Sequence, residues 1–379
     1  MPLKIALLTY STKPRGSVIH TLELAQALHD LGHHPCVFAL DKDGKGFHRQ
    51  VNFTTCAIPA KPCNGNIDQL IRQRIEEFVQ FFEQHGARYD IYHAQDCLSA
   101  NALAQLRASD KAGGKISHFL RTVHHIEDFN SPYLQSCQDK SIHQPDRCLC
   151  VSKSWQRVLK EDYNVEAYRV TNGVSSRFAS TKDGSEAAIA KTYNIQGNPI
   201  YLTVGGIEPR KNTITLLKAF HQVQQQKPQA KLVIAGGATL FDYQDYRQEF
   251  ISLVEAFRLE DATILPGVIP DEHLPALYRL ADAFVFPSIQ EGWGLVVLEA
   301  IASGIPVLAS NQAPFTEFLS QQSACLIDPL DVDAIAQAMT EIAVPEISQR
   351  LVSKANCILK RYSWQASAKK HLDLYQQLV

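Results

Sequence analysis

Two glutamates, Glu291 and Glu299, flank a turn with seven residues between them, in the stretch Phe286-Pro287-Ser288-Ile289-Gln290-Glu291-Gly292-Trp293-Gly294-Leu295-Val296-Val297-Leu298-Glu299-Ala300. An ionised carboxylate can accept two hydrogen bonds from a vicinal diol, which fixes the diol's orientation. A sugar nucleotide carries one diol on its sugar and another on its ribose, so two carboxylates along one turn suit the two ends of such a ligand. Gly292 and Gly294 remove side chains where the backbone must turn sharply or meet a ligand closely. The helix opening at Leu295 and Val296 brings its N-terminus to the same place, a common anion-binding device. The plainer alternative is a solvated loop glutamate and a helix glutamate in surface pairs.

A second group is Gly205-Gly206-Ile207-Glu208-Pro209-Arg210-Lys211-Asn212. It follows an apolar run and precedes a helical pattern for which Asn212 is an N-cap candidate. A diphosphate needs a point charge and a bidentate partner, which Lys211 and Arg210 supply; a solvated charged turn is the alternative. Arg15-Gly16-Ser17, at the first strand-to-helix turn, could offer backbone N–H groups to phosphate, though a turn glycine explains Gly16 equally well. His124 and His125 end an apolar run, and His93-Ala94-Gln95-Asp96 ends the one before it. These sit where open α/β sheets bind ligands, at the carboxyl ends of strands.

The elements that must position these residues alternate. Strands are expected at Lys4–Thr9, Pro35–Leu40, Asp90–His93, His118–Val123, Leu149–Val151 and Tyr168–Thr171, with helices at Val18–Leu31, Ile67–His85, Ser99–Leu106 and Ser154–Glu161. The stretches 41–66 and 127–145 read as irregular, and Gly173 to Gly197 reads as an interdomain linker by its polarity and weak periodicity. Alternation then restarts. Strands are expected at Ile200–Val204, Leu232–Ala235, Thr263–Leu265, Ala283–Phe286, Val307–Ala309 and Ala324–Ile327, with helices between them and a last helix from Trp364. The fold class is therefore α/β, with two Rossmann-like domains facing across a cleft.

At 379 residues, 45% hydrophobic and 20% charged, the chain can bury a core without disulfide or metal staples. A net charge of -2 gives no footprint for nucleic acid. The nine cysteines are scattered and form no C-x-x-C pair, which reads as reduced thiols in a cytoplasmic protein. Asp41-Lys42-Asp43 has D-x-D spacing but falls in the irregular stretch, and no metal is expected. Helix 67–85 carries Arg72 and Arg74 with Phe78, Phe81 and Phe82; core packing explains these aromatics better than membrane docking.

These residues carry a resemblance to the family-4 glycosyltransferases, which are retaining enzymes of GT-B architecture. Pro287-Ser288-x-x-Glu291-Gly292-x-Gly294-Leu295-x-x-x-Glu299-Ala300, followed by Gly304-x-Pro306-Val307, resembles the family's E-x7-E signature. Asn172-Gly173-Val174 with Phe178 resembles its NGV…F segment, and Leu24-Ala25 through Leu31-Gly32-His33 its first helix. The resemblance implies an acceptor-binding domain over 1–180, a nucleotide-sugar domain over 190–362, and a terminal helix, 364–379, packing back on the first. It implies metal-independent, front-face transfer from a nucleotide-diphosphate sugar, with no further cofactor, to a saccharide, lipid-linked or small-molecule acceptor. Peripheral membrane contact is compatible with a lipid-linked acceptor. Glu291 would meet the donor sugar, with His124 near the reacting centre, and Glu299 would grip the ribose. Lys211 and Gly16 would lie against the diphosphate, and the backbone at Gly294 to Val296 would meet the phosphates or the sugar; Asp96 and His125 fall on the acceptor side. One departure stands out: the family usually has an arginine where this chain has Gly206, a place Arg210 could take. The same architecture would also serve a sugar-nucleotide epimerase, for which only His124 and Asp96 come forward as acid and base, or a non-catalytic sugar-nucleotide-binding protein.

Overall fold

The computed structural model describes residues 1–85, 88–109, 116–237 and 243–379. They form two units, Met1–Gly173 with Ser363–Val379, and Val174–Tyr362.

The first unit runs β1 (Lys4–Thr9), α1 (Gly16–Asp30), β2 (His34–Asp41), β3 (Thr54–Pro59), α2 (Ile67–His85), β4 (Ile91–Ala94), α3 (Cys97–Ala108), β5 (Phe119–Val123), α4 (Pro132–His143), β6 (Arg147–Cys150), α5 (Lys153–Glu161) and β7 (Tyr168–Arg169). Its strands pair in parallel in the order β3-β2-β1-β4-β5-β6-β7. Strand order reverses between β1 and β4, the position where such sheets leave a crevice at their carboxyl ends. Central strands are apolar because both faces are covered: Ile5 to Leu8 are fully buried. On one face Phe38, Phe78, Phe82, Tyr92 and Leu103 share a cluster, so two of the helix-α2 aromatics belong to the core. Arg74 on α2 is buried beside Glu77 at 2.7 Å, and Arg72 lies over the Tyr133 ring.

The second unit runs α6 (Glu186–Thr192), β8 (Ile200–Val204), α7 (Thr213–Gln226), β9 (Lys231–Ala235), α8 (Gln244–Ala256), β10 (Thr263–Gly267), α9 (Leu274–Leu280), β11 (Ala283–Phe286), α10 (Leu295–Ala302), β12 (Val307–Ser310), β13 (Cys325–Ile327), α11 (Val332–Ile342) and α12 (Pro345–Leu359). Its parallel sheet has the order β10-β9-β8-β11-β12-β13. Here the reversal falls between β8 and β11, the strands that carry Lys211 and Glu291 on the loops that follow them. The chain then closes with α13 (Trp364–Tyr375), which packs on α1 in the first unit.

Three expectations need correction. The irregular stretches contain β3 and α4; α4 has the Ser131 cap, whose Oγ accepts from Leu134 N at 3.3 Å, and Pro132 at its first turn. The linker stretch contains α6 and belongs to the second unit from Val174 onward. Its polarity serves an internal purpose: Glu186 and Asp183 receive Nε and Nη2 of the buried Arg279 at 2.5 and 2.7 Å. Asp41, placed in the irregular stretch by its sequence, is the last residue of β2, and it accepts the Gly44 and Gly46 amides at 3.1 and 2.9 Å and so closes the turn that follows.

Candidate active site

In the second unit, two adjacent loops meet. The β8 loop ends in a short 3-10 turn, Pro209–Lys211, and the β11 loop runs through Pro287 to Gly294. Ile289 N donates to Arg210 O at 2.9 Å. Asn212 Nδ2 donates to Pro287 O at 3.2 Å and to Pro329 O. Asn212 therefore does not cap α7 with its side chain, as its position had suggested; it takes a left-handed conformation and ties the two loops together. From the far side, Ser310 Oγ and Gln312 Nε2 donate to Ser288 O at 2.6 and 3.2 Å.

This stitching brings Lys211, Arg210 and Glu291 together. Lys211 Nζ donates to Glu291 Oε1 at 2.5 Å and sits 4.5 Å from the centroid of the Phe286 ring. Arg210 Nη1 lies 3.3 Å from the same oxygen, while its Nε pairs with Glu208 at 2.9 Å. Ser288 Oγ is 2.8 Å from Glu291 Oε1 and 2.7 Å from Arg210 O, so its single proton serves one of the two. Burial pushes the Glu291 carboxyl up, but Lys211, Arg210 and Ser288 outweigh it and hold the group below its ordinary value. Burial also lowers the Lys211 ammonium, and Glu291 draws it partway back. Two cations and two carboxylates, Glu208 and Glu291, thus balance in one cluster. Its cations are available to an anion that displaces a carboxylate.

The glycine at 206 has a local cause. Its φ is +82°, and a Cβ there would fall 2.6 Å from Gly237 O. No arginine fits this backbone, and Arg210 approaches the cluster from the next turn instead. Gly294 is similarly constrained: with φ +100° it precedes α10, and a Cβ would meet Phe315 at 2.7 Å. Leu295 and Val296 then open the helix, and Gly292 lies in the turn between Glu291 and Gly294.

Glu299 faces a different partner. Tyr278 on α9 donates to Glu299 Oε2 at 2.8 Å, with Val296 O at 3.3 Å as its alternative acceptor. Phe178 packs edge-on against the Tyr278 ring at 5.6 Å. Sequence spacing gave no hint of Tyr278, because its contact joins separate helices. Tyr278→Phe is expected to destabilise the second unit by about 1–2 kcal/mol through the lost hydrogen bond. Nucleoside diphosphate affinity should also fall by about 3–10-fold as Glu299 loses its orientation. Calorimetric melting and binding titration check both; unchanged affinity would remove Tyr278 from the site.

In the first unit, His124 Nε2 lies 3.0 Å from Gln95 Oε1 and its ring meets His20 edge-on at 4.5 Å. His20 Nδ1 in turn lies 2.9 Å from Asn172 Oδ1. His93 bridges Tyr375 OH and Thr122 Oγ1 at 2.6 and 2.8 Å, and His371 packs beside both His20 and His93. His124 therefore belongs to a cluster of four histidines that α13 seals with His371, Tyr375 and Trp364. Asp96 accepts Ser99 N at 2.9 Å and caps α3; burial raises its carboxyl. His125 turns to Glu127 at 3.3 Å and to the Trp155 ring. Gly16 is the first residue of α1, with open space where a Cβ would stand.

Burial lowers all four clustered histidines, His124 to about 3 and His371 to about 4. Their neutral forms are favoured in the folded chain, whereas the unfolded chain takes up protons near pH 6.5. Stability therefore falls as pH drops through the window between about 6.5 and 4. His371 alone should contribute about 2 kcal/mol of loss at pH 5 relative to neutral pH. Melting against pH checks this, and His371→Gln should flatten the slope; an equal slope in the variant would contradict it.

Among the described residues no group of three or more histidine, cysteine or acidic side chains is arranged to hold a metal ion. All nine cysteines are free. No described helix is long and apolar enough to cross a membrane.

Sequence comparison matches residues 185–356 to the glycosyl transferases group 1 model and residues 14–177 to the glycosyltransferase family 4 model. The O-antigen chain mannosyltransferase B of Escherichia coli is 26% identical over 279 residues, covering 70% of this chain and 71% of its own. Sucrose-phosphate synthase from Thermosynechococcus elongatus superposes with a TM-score of 0.81 at 24% identity, over 99% of both chains. The Anabaena HepE complex with UDP and glucose gives the same TM-score, 0.81, at 20% identity over 99% of both chains. The paired parallel-sheet units are those of the GT-B glycosyltransferases. The chain belongs to glycosyltransferase family 4 and is a glycosyltransferase.

Proposed function

We propose that the enzyme transfers a hexosyl group from a nucleoside diphosphate sugar to an acceptor hydroxyl with retention of configuration. The observation that carries this reading is the Lys211–Arg210–Glu291 cluster, at the strand-order reversal of the second sheet and beside the α10 N-terminus. An incoming diphosphate takes Lys211 and Arg210, and α10 adds its backbone N–H groups. Glu291, released from Lys211, accepts hydroxyls of the donor sugar, and Glu299 accepts those of the ribose. In the reaction the anomeric C1–O bond to the diphosphate breaks and an acceptor O–C1 bond forms on the same face. The acceptor proton passes to a diphosphate oxygen. Catalysis is then orientation plus charge stabilisation of the leaving diphosphate, with neither metal nor cofactor. In the same reading His124 is assigned to the donor sugar, and Asp96 and His125 are assigned to the acceptor.

The bound UDP and glucose of HepE support a nucleotide donor, and the mannosyltransferase relative supports a saccharide acceptor. Free cysteines throughout suit the reducing cytoplasm. The test incubates the full chain with a panel of nucleotide sugars, with and without candidate acceptors, and follows nucleoside diphosphate release. Acceptor-dependent release is expected, with the anomeric configuration of the product matching that of the donor. Interconversion of the sugar without release would make it an epimerase, and binding with neither outcome would make it a non-catalytic binder.

A further inference from the structure

Gln95 directly follows β4 and His124 directly follows β5, and the two strands are paired neighbours. The Gln95 backbone N–H donates to Leu8 O at 2.9 Å, which ties this 1% exposed residue to β1. From there its Oε1 lies 3.0 Å from His124 Nε2. An amide oxygen only accepts, so the contact is a hydrogen bond when His124 carries its proton on Nε2. Nδ1 then holds the lone pair. His124 is partly exposed, and among the described residues its Nδ1 has no hydrogen-bond partner and is not a buried atom.

The surroundings fix how many protons the ring holds. Burial first, then Arg121 of β5, His93 of β4 and His371 of α13, lower it to about 3, and His20 of α1 meets the ring edge-on at 4.5 Å. The ring is therefore neutral at physiological pH, and only the position of its single proton is left to be decided. Gln95 decides it. Without the Gln95 oxygen, an Nε2–H would be a buried donor with no partner, which is costly, whereas a proton on Nδ1 would meet solvent. Stability does not account for Gln95: its own Nε2 is buried with no hydrogen-bond partner, a cost that an apolar side chain of the same length avoids.

We propose that Gln95 is a positioning residue for His124: it holds the imidazole as the Nε2–H tautomer, so that Nδ1 accepts a hydrogen bond from a hydroxyl of the donor sugar. The inference rests on the assignment of His124 to the donor sugar. Gln95 acts only through His124 and takes no part in bond breaking.

The test isotope-labels the imidazole nitrogens of the full chain for NMR and assigns the His124 signals by their loss in His124→Asn. Wild type is expected to show Nε2 protonated and Nδ1 bare between about pH 5.5 and pH 8. Gln95→Met is expected to move the proton to Nδ1 and to melt within about 4 °C of wild type. It should lower kcat/KM for the nucleotide sugar about tenfold and leave nucleoside diphosphate affinity within about twofold, because the diphosphate alone lacks the sugar. Gln95→Glu supplies a carboxylate, which raises the imidazole pKa. Both His124 nitrogens should then be protonated as pH falls toward about 6, with turnover relative to wild type falling in step. A proton on Nδ1 in wild type, or one tautomer shared by wild type and Gln95→Met, overturns the inference; so does a moved proton with kcat/KM unchanged. Unchanged kcat/KM in His124→Asn would instead overturn the assignment of His124 on which the inference rests, and no tautomer result alone would do so.

Discussion

Glu291→Gln is expected to lower kcat by about 30–1000-fold while the chain remains folded and still binds nucleoside diphosphate. The substitution keeps the volume and a hydrogen-bonding oxygen but removes the charge. Charge-assisted hydrogen bonds to a sugar diol are worth about 2–4 kcal/mol together, which sets that range. The cluster adds a second, less obvious expectation. In the free enzyme Glu291 neutralises Lys211 and Arg210, so it competes with an incoming diphosphate for both. Removing its charge should tighten nucleoside diphosphate binding by about 3–10-fold even as turnover collapses. Steady-state kinetics and calorimetry check the pair of effects. Near-normal turnover would remove Glu291 from the reaction, and weaker diphosphate binding would show that it does not compete.

The second large effect is at Lys211. Lys211→Met should weaken nucleoside diphosphate binding by about 10–100-fold, because it removes the buried cation nearest the expected phosphates. It should also cost about 2–4 kcal/mol of stability, since Glu291 stays buried with only Arg210 and Ser288 to hold its charge. The double variant Lys211→Met with Glu291→Gln separates these two losses. Stability should largely return, because no unbalanced charge remains, while diphosphate affinity stays low. Denaturant unfolding of the four proteins gives the coupling. Additive stability losses would show that the pair is not the linked unit its geometry describes.

The alternation of strands and helices was legible because parallel strands covered on both faces are short apolar runs, and their helices keep a helical period. What escaped has identifiable physical reasons. Strand β3, Thr54–Pro59, is an edge strand with only Ile58 buried and two threonines at its start, so it lacks the apolar signature. The stretch holding α6 is polar because Asp183 and Glu186 bind Arg279, a partner more than ninety residues away. Helix α4 carries a local signal, Ser131-Pro132, within a stretch whose polar composition otherwise reads as loop.

The candidate site divides along the same line. Glu291, Glu299, Lys211 and Arg210 stood out through spacing within single loops. Their supports did not: Ser288 and Asn212 act across the junction of two loops, and Tyr278 reaches Glu299 from another helix. His124 was visible at the end of β5, but its neighbours His20 and Gln95 come from separate elements. Gly206 looked like a deficit in the sequence. Its positive φ and the nearby Gly237 carbonyl make it a requirement of the local backbone, while Arg210 reaches Glu291 from the turn that follows.

A structure of the full chain with bound nucleoside diphosphate tests the central claim most directly. The expected result is a diphosphate within hydrogen-bond distance of Lys211 Nζ and the α10 N-terminus, the ribose diol on Glu299, and the Lys211–Glu291 contact opened. A nucleotide bound elsewhere, with Lys211 Nζ still on Glu291 Oε1 as it is now at 2.5 Å, would contradict the account.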